Sequence, residues 1–286
     1  MKILVTGAAG QLGHVVCATL LGAGHEVVGV DQRYRPDLGV RLQVVDLLDD
    51  KVAYRLLEGC EAVVHLANLT GQLARPLAHQ VLNENVAMNG NVFRPALELG
   101  VRRFVFASSI QVILSSDDRL GSSTPPPPYL PLDGAVPRRP LTNTYALSKE
   151  LGERLLEVTA EYKNDIACTA LRFPFLIGER TGRWIRRRRW RREHTAFDEL
   201  LYLTVPDAAC LIQAAVERQK PGYHCYFPAQ TYQVSGWSTR KMADEFCPNT
   251  PHRLAADSLD GFADLREIHD ALGWKPANPP YVIELE

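Results

Sequence analysis

Tyr145 and Lys149, in the stretch YALSK, are four residues apart, a spacing that puts a phenol and an ammonium on one face of a helix. A cation beside a phenol favours phenolate, drawing a pKa of ~10 toward the range where tyrosine serves as an acid or base. The spacing alone suits an exposed helix face equally well, so its setting has to separate the two readings. Upstream, RRFVFASS reads as an apolar strand that presents Ser108 and Ser109 at its end. A hydroxyl there can polarise a carbonyl or alcohol oxygen beside the phenol.

A second group of residues points to an anion. In TGAAGQLG (Thr6 to Gly13), Gly7, Gly10 and Gly13 allow a tight turn, close approach of a pyrophosphate and close packing of the following helix. Gln11 and Leu12 complete the turn, and the helix N-terminus faces the anion. An ordinary glycine-rich turn is the alternative, and context favours dinucleotide binding. Asp31 ends the next strand about twenty residues on, where a carboxylate holds ribose hydroxyls and repels a 2′-phosphate. NAD is therefore the expected cofactor; Arg33 can accept a phosphate and keeps NADP open.

The elements around these groups alternate. KILVTG is a buried strand, QLGHVVCATLLGAG a helix and HEVVGVD a second strand, which makes a βαβ unit. Strands RLQVVDL, EAVVHLAN, RRFVFASS, ACTALRF and GYHCYFP follow, with helices predicted over 51–58, 82–99, 143–162 and 206–217 and a helical C-terminal portion. Strands that are apolar almost throughout belong in a parallel sheet covered on both faces. The expected fold class is α/β: a doubly wound Rossmann sheet over 1–173, and a smaller substrate-binding lobe over most of 174–286, with some segments returning to the sheet. The stretch SSTPPPPYLPLDGAVPRRPLT reads as too long and too polar for core, a stiff surface connection or a wall beside the site.

Composition narrows the partners. With 32 basic and 33 acidic residues among 286, the run RWIRRRRWRR (183–192) is a patch on a nearly neutral protein, and nucleic acid is not the expected partner. The six cysteines are scattered with no close pair, which suggests small buried hydrophobes in a reducing cytoplasm and no metal site. No signal-peptide core opens the chain and no segment reaches ~18 consecutive apolar residues, so a soluble protein is expected.

At this point the chain resembles the extended short-chain dehydrogenase/reductase superfamily, in its NAD-dependent epimerase/dehydratase branch. The resemblance rests on TGAAGQLG, Asp31, DLLD at Asp46, HLAN at His65 to Asn68, FASS, PLDGAVPRRPLTNTYALSK, LRFPFLIG and LGWKP. It implies that Ser109, Tyr145 and Lys149 are the catalytic set, with Tyr145 and Lys149 also touching the cofactor. It further implies that Asp46 and Leu47 flank adenine, that Ala67 lines the nicotinamide side, and that Asn85 supports the site from a helix beside the cofactor.

Candidate substrate contacts are Thr70, Ser109, Gln111 and Arg183, the last because it is the arginine of the run nearest the strand end. The implied reaction is hydride transfer at a carbinol carbon of a sugar or nucleotide sugar. Some stretches look like uronate dehydrogenases, yet Ile110-Gln111 stands where those enzymes have Asn-His, and Val112-Ile113-Leu114 where epimerases have Val-Tyr-Gly. A dinucleotide-binding sensor without catalysis is the reading from another class, and the intact Ser109, Tyr145 and Lys149 count against it. The resemblance also implies a homodimer through the helices carrying Asn85 and Tyr145. Leu151, Leu155 and Val158 suit that interface, and would equally suit packing on the sheet.

Overall fold

The computed structural model describes residues 1–70, 77–117, 120–121, 123–185, 190–254 and 259–286, without the side chains of Arg180, Arg183 and Trp184. In chain order the first half runs β1 (Lys2–Thr6), α1 (Gly13–Gly22), β2 (Glu26–Asp31), β3 (Arg41–Val44), α2 (Val52–Leu57), β4 (Ala62–His65), α3 (Ala78–Glu98) and β5 (Arg103–Ser109). It continues with α4 (Thr144–Tyr162), β6 (Ala167–Phe173), β7 (Phe175–Ile177), α5 (Glu179–Ile185), β8 (Leu201–Thr204) and α6 (Val205–Arg218). The last stretch is β9 (Gly222–Tyr226), β10 (Gln230–Thr231), β11 (Gln233–Val234), α7 (Thr239–Phe246), α8 (Arg266–Leu272) and β12 (Val282–Ile283).

Seven strands form one parallel sheet in the order β3-β2-β1-β4-β5-β6-β9. The direction of strand addition reverses between β1 and β4, and a crevice opens at the carboxyl ends of strands at such a point. Side chains alternate across the sheet. Ile3 and Val5 pack with Val16 and Leu20 of α1 and Leu211 and Ile212 of α6. Leu4 packs on the other face with Val92 and Phe93 of α3 and Leu156 of α4. The segment after residue 173 returns to this layer through α6, β9 and α8, and Trp274 Nε1 donates to the Asp207 carbonyl at 3.2 Å.

Three expectations are corrected. Helix α3 starts at Ala78, a turn before Leu82, because Gln80 Oε1 accepts the Leu77 N–H at 3.1 Å and caps an entry with no acidic or hydroxyl signal. The C-terminal portion is mixed: β10 pairs with β8, and β11 with β12, and β10, β11 and β12 have two residues each, too short to show a period.

The middle of the proline-rich stretch is core, and its described ends are exposed or half-buried. Tyr129, Leu130, Leu132 and Val136 are buried with Tyr202, Tyr232 and Phe262, and the Leu130 and Leu132 N–H groups donate to the Pro251 and Phe262 carbonyls at 2.8 Å. Apolar side chains set between prolines hid this burial. The described part of the arginine run resolves similarly. Trp190 is buried in the small lobe, Arg192 pairs with Glu245, and Arg191 is exposed; residues 186–189 and the Arg183 side chain lie outside the description.

Candidate active site

The glycine loop follows from close approach. Gly7 has φ +70°, and a Cβ on it would sit 2.9 Å from the Ala67 nitrogen; on Gly13 one would sit 2.1 Å from the Gly7 carbonyl oxygen. Only glycine fits a backbone cradle this tight. Thr6 Oγ1 ties the loop to the strand beside it, accepting the Leu66 and Ala67 N–H groups at 3.1 and 3.2 Å. Its own proton goes to His65 Nδ1 at 2.7 Å, which leaves His65 Nε2–H to donate to Asn89 Oδ1 at 3.0 Å. Burial, helped by the Lys149 charge, pushes the His65 pKa down to about 3, so the ring is neutral.

A crevice of about 1100 Å³ runs from Asp31 along the glycine loop, with Leu47 and Ala67 in its walls. Asp31 Oδ2 accepts the Ala9 N–H and Oδ1 the Arg33 N–H, each at 3.0 Å, so the carboxylate is held in place at the end of β2. Asp46 is not among the crevice's lining residues: it is exposed, and Oδ1 accepts from Gln32 Nε2 and the Leu48 N–H at 2.9 Å.

A second cavity of about 230 Å³ joins Gly7, Gly10, Gln11, Leu12 and Gly13 to Ser109, Tyr145 and Lys149. Ser109 closes β5 and faces the same cavity as Tyr145, on the first turn of α4. Asn143 caps that helix, its Oδ1 accepting the Ala146 N–H at 3.0 Å. One turn on, Lys149 Nζ donates to the Ala107 carbonyl at 2.6 Å and lies 5.6 Å from the Tyr145 ring centroid. Burial pushes Lys149 down to about 7 and Tyr145 up to about 12, with Ser109 pulling Tyr145 the other way. The expectation that the neighbouring cation draws Tyr145 downward is therefore corrected: among the protein's own groups, burial sets the direction and Ser109 opposes it.

The two serines line the same cavity but differ in partner. Ser108 Oγ donates to Glu153 Oε1 at 2.6 Å, and the fully buried Glu153 also accepts from Arg172 at 2.9 Å and from Arg138 Nε at 2.8 Å. Sequence reading missed Glu153, although it stands four residues after Lys149 on the same helix face. Asn85 lines neither cavity. Its Oδ1 accepts the Leu69 N–H at 2.7 Å and its Nδ2 donates to Ser148 Oγ at 3.0 Å, so it fastens the loop after β4 to α4. That loop gives Thr70, and the unanticipated Asn68, to both cavities. Gln111 lines neither; its Oε1 accepts from Asn143 Nδ2 at 3.2 Å.

The fold and this site define a dinucleotide-binding protein of the extended short-chain dehydrogenase/reductase class. Residues 3–195 match the family model of the NAD dependent epimerase/dehydratase family, and the chain belongs to that family. It is 33% identical over 157 residues to a uronate dehydrogenase of Pseudomonas syringae pv. tomato, a match covering 53% of this chain and 51% of the relative. The chain spans about half the length of the uronate dehydrogenases it matches. Among solved structures it is similar to MoeE5 in complex with UDP-glucuronic acid and NAD, with TM-score 0.70 and 24% identity over 98% of this chain and 95% of the other. A mutated uronate dehydrogenase aligns with TM-score 0.60 and 25% identity over 98% and 89%.

Proposed function

We propose that this protein moves hydride between NAD and a carbinol carbon of a sugar or nucleotide sugar. The observation carrying this reading is that Ser109, Tyr145 and Lys149 share one cavity with the glycine loop. The residues fit a dinucleotide: the Gly7 and Gly13 cradle has no room for a side chain, and Asp31 lines the crevice at the end of β2, where a carboxylate would hold ribose hydroxyls. NAD bound there supplies the hydride acceptor. Tyr145 takes the substrate hydroxyl proton, Ser109 donates a hydrogen bond to the reacting oxygen, and Lys149 holds the nicotinamide ribose and offsets the phenolate charge.

The test is incubation with NAD and a panel of hexuronates and UDP-sugars, following NADH absorbance and epimer formation. NADH release with one panel member identifies a dehydrogenase; epimer without net NADH identifies an epimerase; neither product from any sugar contradicts the reading. Uronate oxidation is the second reading, favoured by the 33% identity to the Pseudomonas syringae enzyme.

Two further elements belong to the proposal. A homodimer through α3 and α4 is supported by Leu151, Leu155 and Val158, which are 39%, 38% and 50% exposed and so do not pack on the sheet. A cytoplasmic setting agrees with six cysteines that are all free thiols. No helix among the described residues is long and apolar enough to cross a membrane.

A further inference from the structure

We propose that Gln111 is a positioning residue: its side chain ties the turn after β5 to the first turn of α4 and so holds Ser109 against Tyr145. The inference rests on the hydride-transfer reading above and assigns Gln111 a part other than substrate contact.

The bonds form a bridge. Gln111 sits in a 3-10 turn at Ile110–Val112, and its backbone N–H donates to Ser109 Oγ at 3.2 Å. Its side-chain Oε1 accepts from Asn143 Nδ2 at 3.2 Å. Asn143 in turn caps α4 through the Ala146 N–H at 3.0 Å, and its Nδ2 also donates to the Ser116 carbonyl at 2.8 Å. Ser109 and Tyr145 line the same cavity, so this bridge joins the two elements that supply them.

One residue thus reaches both partners, Ser109 through its backbone and the Tyr145 helix through its side chain. The bridge also bears on direction. Ser109 Oγ accepts the Gln111 N–H and so keeps its own proton for the cavity it shares with Tyr145, where a donor to the phenol oxygen stabilises the ionised form. Loss of the Gln111–Asn143 bond frees the turn, and the serine proton loses its aim.

The other titratable groups near Tyr145 among the described residues do not replace this effect. Lys149, on the same helix, gives its ammonium to the Ala107 carbonyl. His65, from β4, is neutral. Glu153, two turns along α4, is neutralised by Arg172 and Arg138.

The experiment uses three variants of the full chain. Gln111→Met keeps the length and removes the acceptor. Asn143→Ser keeps an oxygen for the Ala146 N–H and is too short to reach Gln111. The third carries both changes. The Tyr145 midpoint is read in the NAD-saturated protein as the tyrosinate absorbance step absent from Tyr145→Phe, and kcat and KM are taken with the sugar that the NADH panel identifies.

Gln111→Met is expected to raise the midpoint by about one unit, lowering kcat about tenfold below that pH, with KM and NAD affinity unchanged. The double variant is expected to be no worse than the weaker single variant, because both changes break one link. A raised KM with an unmoved midpoint overturns the proposal in favour of substrate contact, and additive or absent effects overturn it outright. Full turnover by Tyr145→Phe, or no tyrosinate step that it removes, sinks the hydride-transfer reading instead.

Discussion

The Ser108 hydroxyl donates a 2.6 Å hydrogen bond to Glu153, and that bond fixes the end of β5 so that the next residue, Ser109, faces Tyr145. Glu153 is fully buried and also receives Arg172, itself 3% exposed. Breaking one member of a buried ion pair strands the other charge, at ~3–5 kcal/mol. Glu153→Gln should therefore lower stability by that order in urea unfolding, whereas Ser108→Ala should lose ~1 kcal/mol and keep turnover. Ser109→Ala should do the reverse, with near-native stability and turnover down about a hundredfold.

His65 gives a pH dependence of known sign. Its folded pKa of about 3 lies below the ~6.5 of an unfolded histidine, so the unfolded chain binds the extra proton as pH falls. The stability held by this residue is complete above ~6.5 and is lost progressively toward about 3. Between about pH 6.5 and 5 the loss is ~2 kcal/mol at 1.36 kcal/mol per unit. Urea midpoints for the protein and for His65→Gln should show a shallower acid decline in the variant; parallel declines would mean that His65 is protonated in the fold.

The central sheet and the glycine loop were legible in the sequence because buried strands such as KILVTG and AVVH are continuous apolar runs and the loop's glycines have fixed spacing. Tyr145 and Lys149 were legible for the same reason, since both lie within one helical turn. The bonding around them was not. Glu153 looks like any charged helix residue until Ser108, Arg138 and Arg172, distant in sequence, converge on it. The Gln111–Asn143 bond spans a loop whose buried Tyr129 and Leu130 lie among prolines, where neither period applies. The tyrosine's electrostatics also needed the fold, since burial and not the neighbouring lysine sets the direction of its shift.

Asp31 should make the protein prefer NAD over NADP, because its carboxylate is fixed by the Ala9 and Arg33 N–H groups and faces the crevice. Calorimetric titration of both dinucleotides should show at least a tenfold preference, ~1.4 kcal/mol, that narrows in Asp31→Ser. A preference for NADP would move the assignment to Arg33.

The exposed apolar stripe on α4 should be an interface between copies. Leu155→Asp places a charge at its centre and should shift the mass seen by light scattering at micromolar concentration from dimer to monomer. A protein already monomeric before substitution would contradict the proposed assembly.

The central claim is that the Tyr145 oxygen moves the substrate proton. Tyr145→Phe keeps the ring and removes only that oxygen, so the decisive measurement is turnover of the identified sugar beside NAD affinity in this one variant. The account predicts turnover lower by at least ~10³-fold with NAD affinity within about twofold of the parent; turnover near the parent's would contradict it.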